Sequence, residues 1–287
     1  MMTLVGLGVA LACVFGGYVA AGGKFGIILA ALPFEMLIIG GSALGTFLMA
    51  NSMGDVKHTL HGFGKILKGA RYSKSDYVDM LSLLFFFVRL AQSKGAMALE
   101  PHIEKPEESP AFAKFPKIAG DHHAVTLICD YLRMVGMNAD DPHQIEDVMA
   151  RELKKVLAEE LHPSHALQSV ADALPALGIV AAVLGVIKTM ASIDQPPAVL
   201  GKMIGGALVG TFLGVLLAYG MMAPLAVRLK GVVEEAKYHE VIRTVLVAHL
   251  HGNAPQVAVE TGRKMAPSAH MPTFGELEQA LQELQIA

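Results

Sequence analysis

Four long apolar stretches, almost free of charge, dictate what this chain can fold into. They cover residues 1–23, 36–54, 172–190 and 203–227. The third reads DALPALGIVAAVLGVIKTM; it is uncharged between Asp172 and Lys188 and extends to Ile193 if Lys188 lies at its outer edge. A bilayer core takes about 20 helical residues to cross. Inside it the backbone has only itself to bond to. Each stretch is therefore expected to be a transmembrane α-helix. Composition agrees, with 53% hydrophobic and 17% charged residues and a mean hydropathy of +0.47, more apolar than soluble domains of this length. Residues 25–34 are apolar too, but the run is short and carries Pro33. Helix pairing or a short re-entrant segment suits it, which leaves Glu35 at the outer edge of span two. No Lys or Arg precedes the first stretch, so it reads as a retained span rather than a secretory signal.

Basic residues are distributed unevenly between the loops. The two connections after spans one and three hold Lys24, Lys188 and Lys202, whereas residues 55–171 hold fourteen Lys or Arg and the segment after span four holds six. Near span two these are Lys57, Lys65, Lys68, Arg71 and Lys74; after span four they are Arg228 and Lys230. Positive charge stays on the cytoplasmic side, so the long segment and both termini are expected to face inward. The expected organisation is then residues 1–54 as spans one and two, 55–171 as a helical cytoplasmic domain, 172–227 as spans three and four, and 228–287 as a cytoplasmic helix and tail. With almost no alternating β pattern, the class is an all-α membrane protein. In the long segment residues 80–88 are too short to span and read as a core or interface helix, followed by a proline-rich hinge or loop. Residues 121–135 and 145–161 read as two further helices. Near the end Leu277, Ala280, Leu281 and Leu284 share one helical face, which either docks on a neighbour or frays.

Few residues carry obvious chemistry. Gly206, Gly210 and Gly214 recur every fourth position in span four, with Gly41 and Gly45 similarly spaced in span two; small residues at this spacing let membrane helices pack backbone to backbone. Thr211 beside that stripe either bonds its own helix or lines a polar path. Pro175 and Pro224 are either hinges within the membrane or an ordinary first-turn proline and a helix stop. Glu35 and Asp172 lie toward span ends, where ion entry or exit is conceivable, and no acid is expected at mid-membrane. Cys13 and Cys129 provide no disulfide framework. The close histidine pairs lack partners at zinc spacing, so no metal site is expected. There is no phosphate-binding Gly-Lys-Ser/Thr loop and no Gly-x-Ser-x-Gly, so neither catalysis nor a cofactor is expected, and nothing suggests nucleic acid.

Four motifs together resemble the MotA family of bacterial flagellar stator subunits, within the MotA/TolQ/ExbB superfamily. They are VFGGYVAAGG with PFEMLIIGGSALGTF, GAMALEPHIEKP, LPALGIVAAVLGVI, and LVGTFLGVLLAYGMMAPLA. The likeness runs down to PTFGELE near the end, and the four spans with the LEPHIEKP block favour MotA over the three-span TolQ and ExbB. The resemblance implies a ring of these subunits, pentameric in the family, around a dimer of MotB. MotB is a one-span, peptidoglycan-anchored chain bearing one aspartate. Proton flow between them turns the ring against the rotor switch protein FliG in the inner membrane. By the same resemblance Pro175 and Pro224 match prolines linked to torque-coupled change, Thr211 matches a path-lining threonine, and Tyr219 lies in the same motif. Glu100 matches a rotor-contacting glutamate. Where relatives carry an arginine this chain has Gln92, and Arg89 or Lys94 supplies the charge instead. A TolQ/ExbB-like energiser of an envelope complex is the alternative, and a non-conducting scaffold a more distant one.

Ala182 bears on the ion. Sodium-driven relatives carry threonine at this position, whose hydroxyl helps replace sodium's hydration shell; a proton bound to a carboxylate needs no such ligand. Swimming speed is therefore expected to follow proton-motive force and to stay unchanged when sodium is varied at fixed proton-motive force.

Overall fold

The computed structural model describes residues 2–68, 72–137, 142–235 and 238–284. Arg71 lies outside them, as do the side chains of Lys65 and Lys68. Every regular element among the described residues is helical, in keeping with the all-α class. The first four helices are α1 (Met2–Ala20), α2 (Phe25–Ala50), α3 (Met53–Lys68) and α4 (Lys74–Lys94). Short helical turns follow: a 3-10 turn at Ala96–Leu99, α5 (Glu100–Ile103), a second 3-10 turn at Pro106–Glu108, α6 (Pro110–Ala113) and α7 (Pro116–Ala119). Then come α8 (His122–Gly136), α9 (Pro142–Met190) and α10 (Pro197–Leu217). A π-helical turn at Ala218–Met222 leads into α11 (Ala223–Glu235), followed by α12 (Tyr238–Leu250), α13 (Pro255–Arg263) and α14 (Phe274–Gln282). Four helical runs are long and apolar enough to cross a membrane, beginning at Met2, Phe25, Pro142 and Pro197.

Three sequence boundaries move. Span two begins at Phe25 rather than at residue 36, because Pro33 is accommodated inside a continuous 26-residue helix. The segment 25–34 is therefore the first part of that span, not a re-entrant loop. Residues 145–161 do not form a separate helix: they run with span three as one helix of 49 residues, through Pro163 and Pro175. A proline inside a helix removes one backbone bond and crowds the preceding turn; packing on both sides of it can hold the helix together. Near Pro163 that packing includes buried Ala166 and Leu167, and the Ser164 hydroxyl donates to the Ala226 carbonyl at 2.9 Å. The proline-rich block is likewise helical, since Pro101, Pro106 and Pro110 each sit at the first or second position of a short turn, where the missing N–H costs nothing.

The chain forms two compact units. One comprises Met1–Gly69 and Glu160–Val233, the other Ala70–Glu159 and Glu234–Ala287. The positions 54, 171 and 227 mark where apolar stretches end, whereas α3, α9 and α11 carry the first unit's fold beyond them. In the second unit α4 is the core helix, with Leu81, Leu83, Leu84, Phe87 and Val88 fully buried in one cluster with residues of α8 and α12. The last helix does not fray. Leu277 is buried, Leu281 and Leu284 pack on the same core, and Lys74 at the start of α4 pairs with Glu276 at 2.7 Å. Thr273 and Glu276 close a capping box at its N-terminus. The Lys74 ammonium, with the Thr273 backbone and hydroxyl, holds the Glu276 carboxyl down at about 2.

In the first unit α9 and α10 meet backbone to backbone. A methyl group on Gly178 would lie 2.8 Å from the Gly210 carbonyl oxygen, and one on Gly214 would lie 2.7 Å from the Leu174 carbonyl oxygen and 2.8 Å from the Gly178 Cα. Only glycine admits that approach. Gly206 faces α2 more loosely, 3.8 Å from the Ala31 methyl, and methyl groups at Gly41 or Gly45 would meet open space. Gly214→Ala is expected to force the two backbones apart at a cost of roughly 1–3 kcal/mol. It should lower the thermal stability of the purified membrane complex and reduce swimming, whereas Gly231→Ala, where a methyl meets nothing within 4 Å, should do neither.

Candidate functional site

The α9–α10 seam gathers most of the residues singled out in the membrane. Pro175 lies deep inside α9, three residues before Gly178, so it is not a first-turn proline. Its missing N–H leaves a gap in the helix ladder next to the contact of Gly178 with Gly210 and Gly214. Pro224 does not end its helix either: the chain stays helical to Glu235. Instead the preceding turn is widened, and the Ala223 N–H reaches back five residues to the Ala218 carbonyl. That is how a helix absorbs a proline that can neither donate nor tolerate the preceding carbonyl. Tyr219 sits in this wide turn and is 64% exposed.

Thr211 follows Gly210 on α10. Thr189 donates to the Gly185 carbonyl at 2.9 Å and Thr46 to the Ala43 carbonyl at 3.0 Å, the usual fate of a hydroxyl in an apolar helix. Among the described residues no such bond forms at Thr211. Ala182 lies across the seam, its backbone nitrogen 3.2 Å from where a Gly210 methyl would be. Asp172 is exposed one turn before Pro175 and accepts a bond from Gln168 at 2.8 Å.

Glu35 is the largest departure from expectation. With α2 starting at Phe25, it lies about 15 Å along the helix at 1.5 Å per residue, near mid-span rather than at an edge. It is buried, 7% exposed, and its Oε2 has no hydrogen-bond partner among the described residues. The same oxygen would be 2.6 Å from a Gly210 methyl, so the glycine stripe that packs α10 on α9 also makes room for this carboxyl. An acid within the span was missed because Pro33 suggested a break just before it.

A second group of charges belongs to the other unit. Arg89 lies one turn from the end of α4, Lys94 is its last residue, and Gly95 turns the chain at φ 82°. Glu100 opens α5. All three charged side chains are exposed, as is Gln92, and among the described residues none of the three is ion-paired. Nearby charges behave differently: Arg133 bonds Glu104 at 2.9 Å and Asp130 at 2.8 Å. The fold also collects histidines from distant parts of the chain. His143, Glu146 and His251 bring ligand-type atoms within 4.8 Å of one another, a grouping that local spacing does not reveal. Glu146 is already engaged there by His251 at 3.3 Å and by Arg243 at 3.4 Å.

Comparison with known proteins agrees with this architecture. A family model described as Motility protein A N-terminal matches residues 4–95, and one for the MotA/TolQ/ExbB proton channel family matches residues 122–239. The chain is 40% identical over 280 residues to Motility protein A of Salmonella typhimurium, covering 97% of this chain and 94% of that one. Chemotaxis protein LafT of Vibrio parahaemolyticus is 36% identical over 284 residues, covering 99% of each chain. Among solved structures, the fold is similar to that of C. jejuni MotAB, with a TM-score of 0.72 at 18% identity over 93% of this chain and 96% of that one. It is also similar to the flagellar MotAB stator complex from Bacillus subtilis, with a TM-score of 0.70 at 23% identity over 97% and 98%. Identity of this extent along the whole length shows that the chain belongs to the MotA family, the multi-pass inner-membrane proton-channel subunits of the flagellar stator.

Proposed function

We propose that this chain forms a ring around a dimer of MotB and that protons cross the membrane between the two, driven past the MotB aspartate. The observation that carries this reading is the α9–α10 seam. Away from the contact its helices expose Val180, Val183, Val186, Ile187 and Leu208, and apolar side chains left open in this way need a lipid or protein partner. On the same helix pair Thr211 offers a hydroxyl that its own helix does not use. A partner carboxylate against that wall meets one polar group and little else. Ala182 keeps the wall free of a further oxygen, which suits a proton rather than sodium. Pro175 and the wide turn before Pro224 lie together at one end of the seam, so a change in charge at the aspartate is relayed as a bend in α9 and α10, with Tyr219 moving on that turn.

The load is the rotor switch protein FliG, met through Arg89, Lys94 and Glu100. Exposed charges of both signs that no neighbour neutralises are suited to electrostatic docking. Both termini and the unit rich in Lys and Arg lie in the cytoplasm, following the charge bias of the loops. The ring is pentameric.

Two outcomes test this reading. Liposomes containing this chain together with MotB should conduct protons, and replacing the MotB aspartate with asparagine should abolish the flux; flux that survives the replacement would exclude the shared pathway. Glu100→Lys should slow or stop rotation in tethered cells while the complex still assembles in the membrane, and normal torque would count against the rotor contact.

A further inference from the structure

We infer that Glu35 is a second proton-binding group within the membrane, carried by this chain itself, which takes protons from the outer side and passes them on beside Gly210. This rests on the proton-channel reading and adds a site to it that the partner does not supply.

Three features carry the inference. The first is the carboxyl's setting: 7% exposed, one oxygen buried without a partner, in the interior of an apolar helix. An unpaired charge buried in such surroundings is strongly disfavoured, and intramembrane acids that persist mark ion routes. The second is a cleft of about 730 Å³ that reaches Glu35 and is bounded by Lys24, Lys188 and Lys202. At 1.5 Å per residue, Lys188 lies about 10 Å beyond Ala181 and Lys202 about 12 Å before Gly210, so the lysines mark one rim and Glu35 the depth. Waters at about 30 Å³ each fit in file. The third is the chemistry of the lining. Among the described residues that line it, Glu35 bears the only side-chain oxygen, and the other titratable groups are those three lysines. A metal cation would find one carboxylate and no further side-chain ligands behind a positively charged rim. A proton needs no coordination shell.

The step balances simply. The Glu35 carboxylate accepts a proton that arrives from the outer aqueous phase as hydronium relayed along the water of the cleft, becomes a neutral acid and leaves that water neutral. It then gives that proton to the next acceptor along the seam, the partner's carboxylate or a water beside Thr211, and returns to its starting form. Gly210 leaves the room that the carboxyl occupies, since a methyl group there would lie 2.6 Å from Oε2 and 3.1 Å from the Ala181 methyl.

The test uses the complex with MotB in liposomes. Glu35→Gln should lower proton flux by at least about tenfold, and Glu35→Asp should restore part of it. Unchanged flux in Glu35→Gln, with flux still dependent on the MotB aspartate, would overturn this inference and leave the channel reading standing. Flux that is absent in the unmodified complex, or indifferent to the MotB aspartate, would overturn the channel reading beneath it. Infrared spectroscopy provides a check independent of whether Glu35→Gln assembles. In a complex whose MotB aspartate is replaced by asparagine, the C=O band of a buried protonated carboxyl should remain and change with outer pH. Absence of that band would overturn the inference.

Discussion

The contact of α9 and α10 at Gly178, Gly210 and Gly214 is the constraint on which the membrane part of this chain depends. Because those backbones touch, no side chain separates the two helices at that level, and whatever lies beside the contact is held within a residue or two of it. Pro175 is one turn from Gly178, Thr211 is adjacent to Gly210, and Ala182 lies directly across. The same absent side chain at Gly210 leaves the space that the Glu35 carboxyl occupies. One row of glycines thus fixes a helix pair and admits an acid from a third helix.

Prolines act against that rigid contact. Pro163 and Pro175 interrupt the hydrogen-bond ladder of α9 without ending the helix, and Pro224 is absorbed by a π-helical turn in which the backbone bond spans one extra residue. A helix pair that is rigid at its glycines and weakened at its prolines bends at defined places. That is the property required of an element that converts a change of charge into displacement.

Charge is handled differently in the two units. In the second, most ionic side chains are neutralised locally, as with Arg133 between Glu104 and Asp130 or Lys74 on Glu276. The exposed, unpaired group at the end of α4 and the start of α5 stands out against that background, which is why it suits an external partner. In the first unit Glu35 is the buried counterpart, a carboxyl whose inner oxygen has no hydrogen-bond partner among the described residues.

The sequence by itself determined that the chain crosses a membrane four times in helices, because a run of some 20 apolar residues has no other stable form in lipid. It also determined the glycine stripe, the resemblance carried by LPALGIVAAVLG and LVGTFLGVLLAYG, and the core helix around residues 80–88, since periodicity and composition are local properties. Tertiary structure decided the rest. Whether Pro33, Pro163 and Pro175 break a helix depends on what packs around them, and neighbours held all three inside continuous helices. The extension of α2 moved Glu35 from the start of a helix to its interior, and the approach of α10 leaves it buried. The gathering of His143 and Glu146 with His251 is likewise a result of folding. Each joins residues far apart in the chain, and no local pattern records a contact that only packing creates.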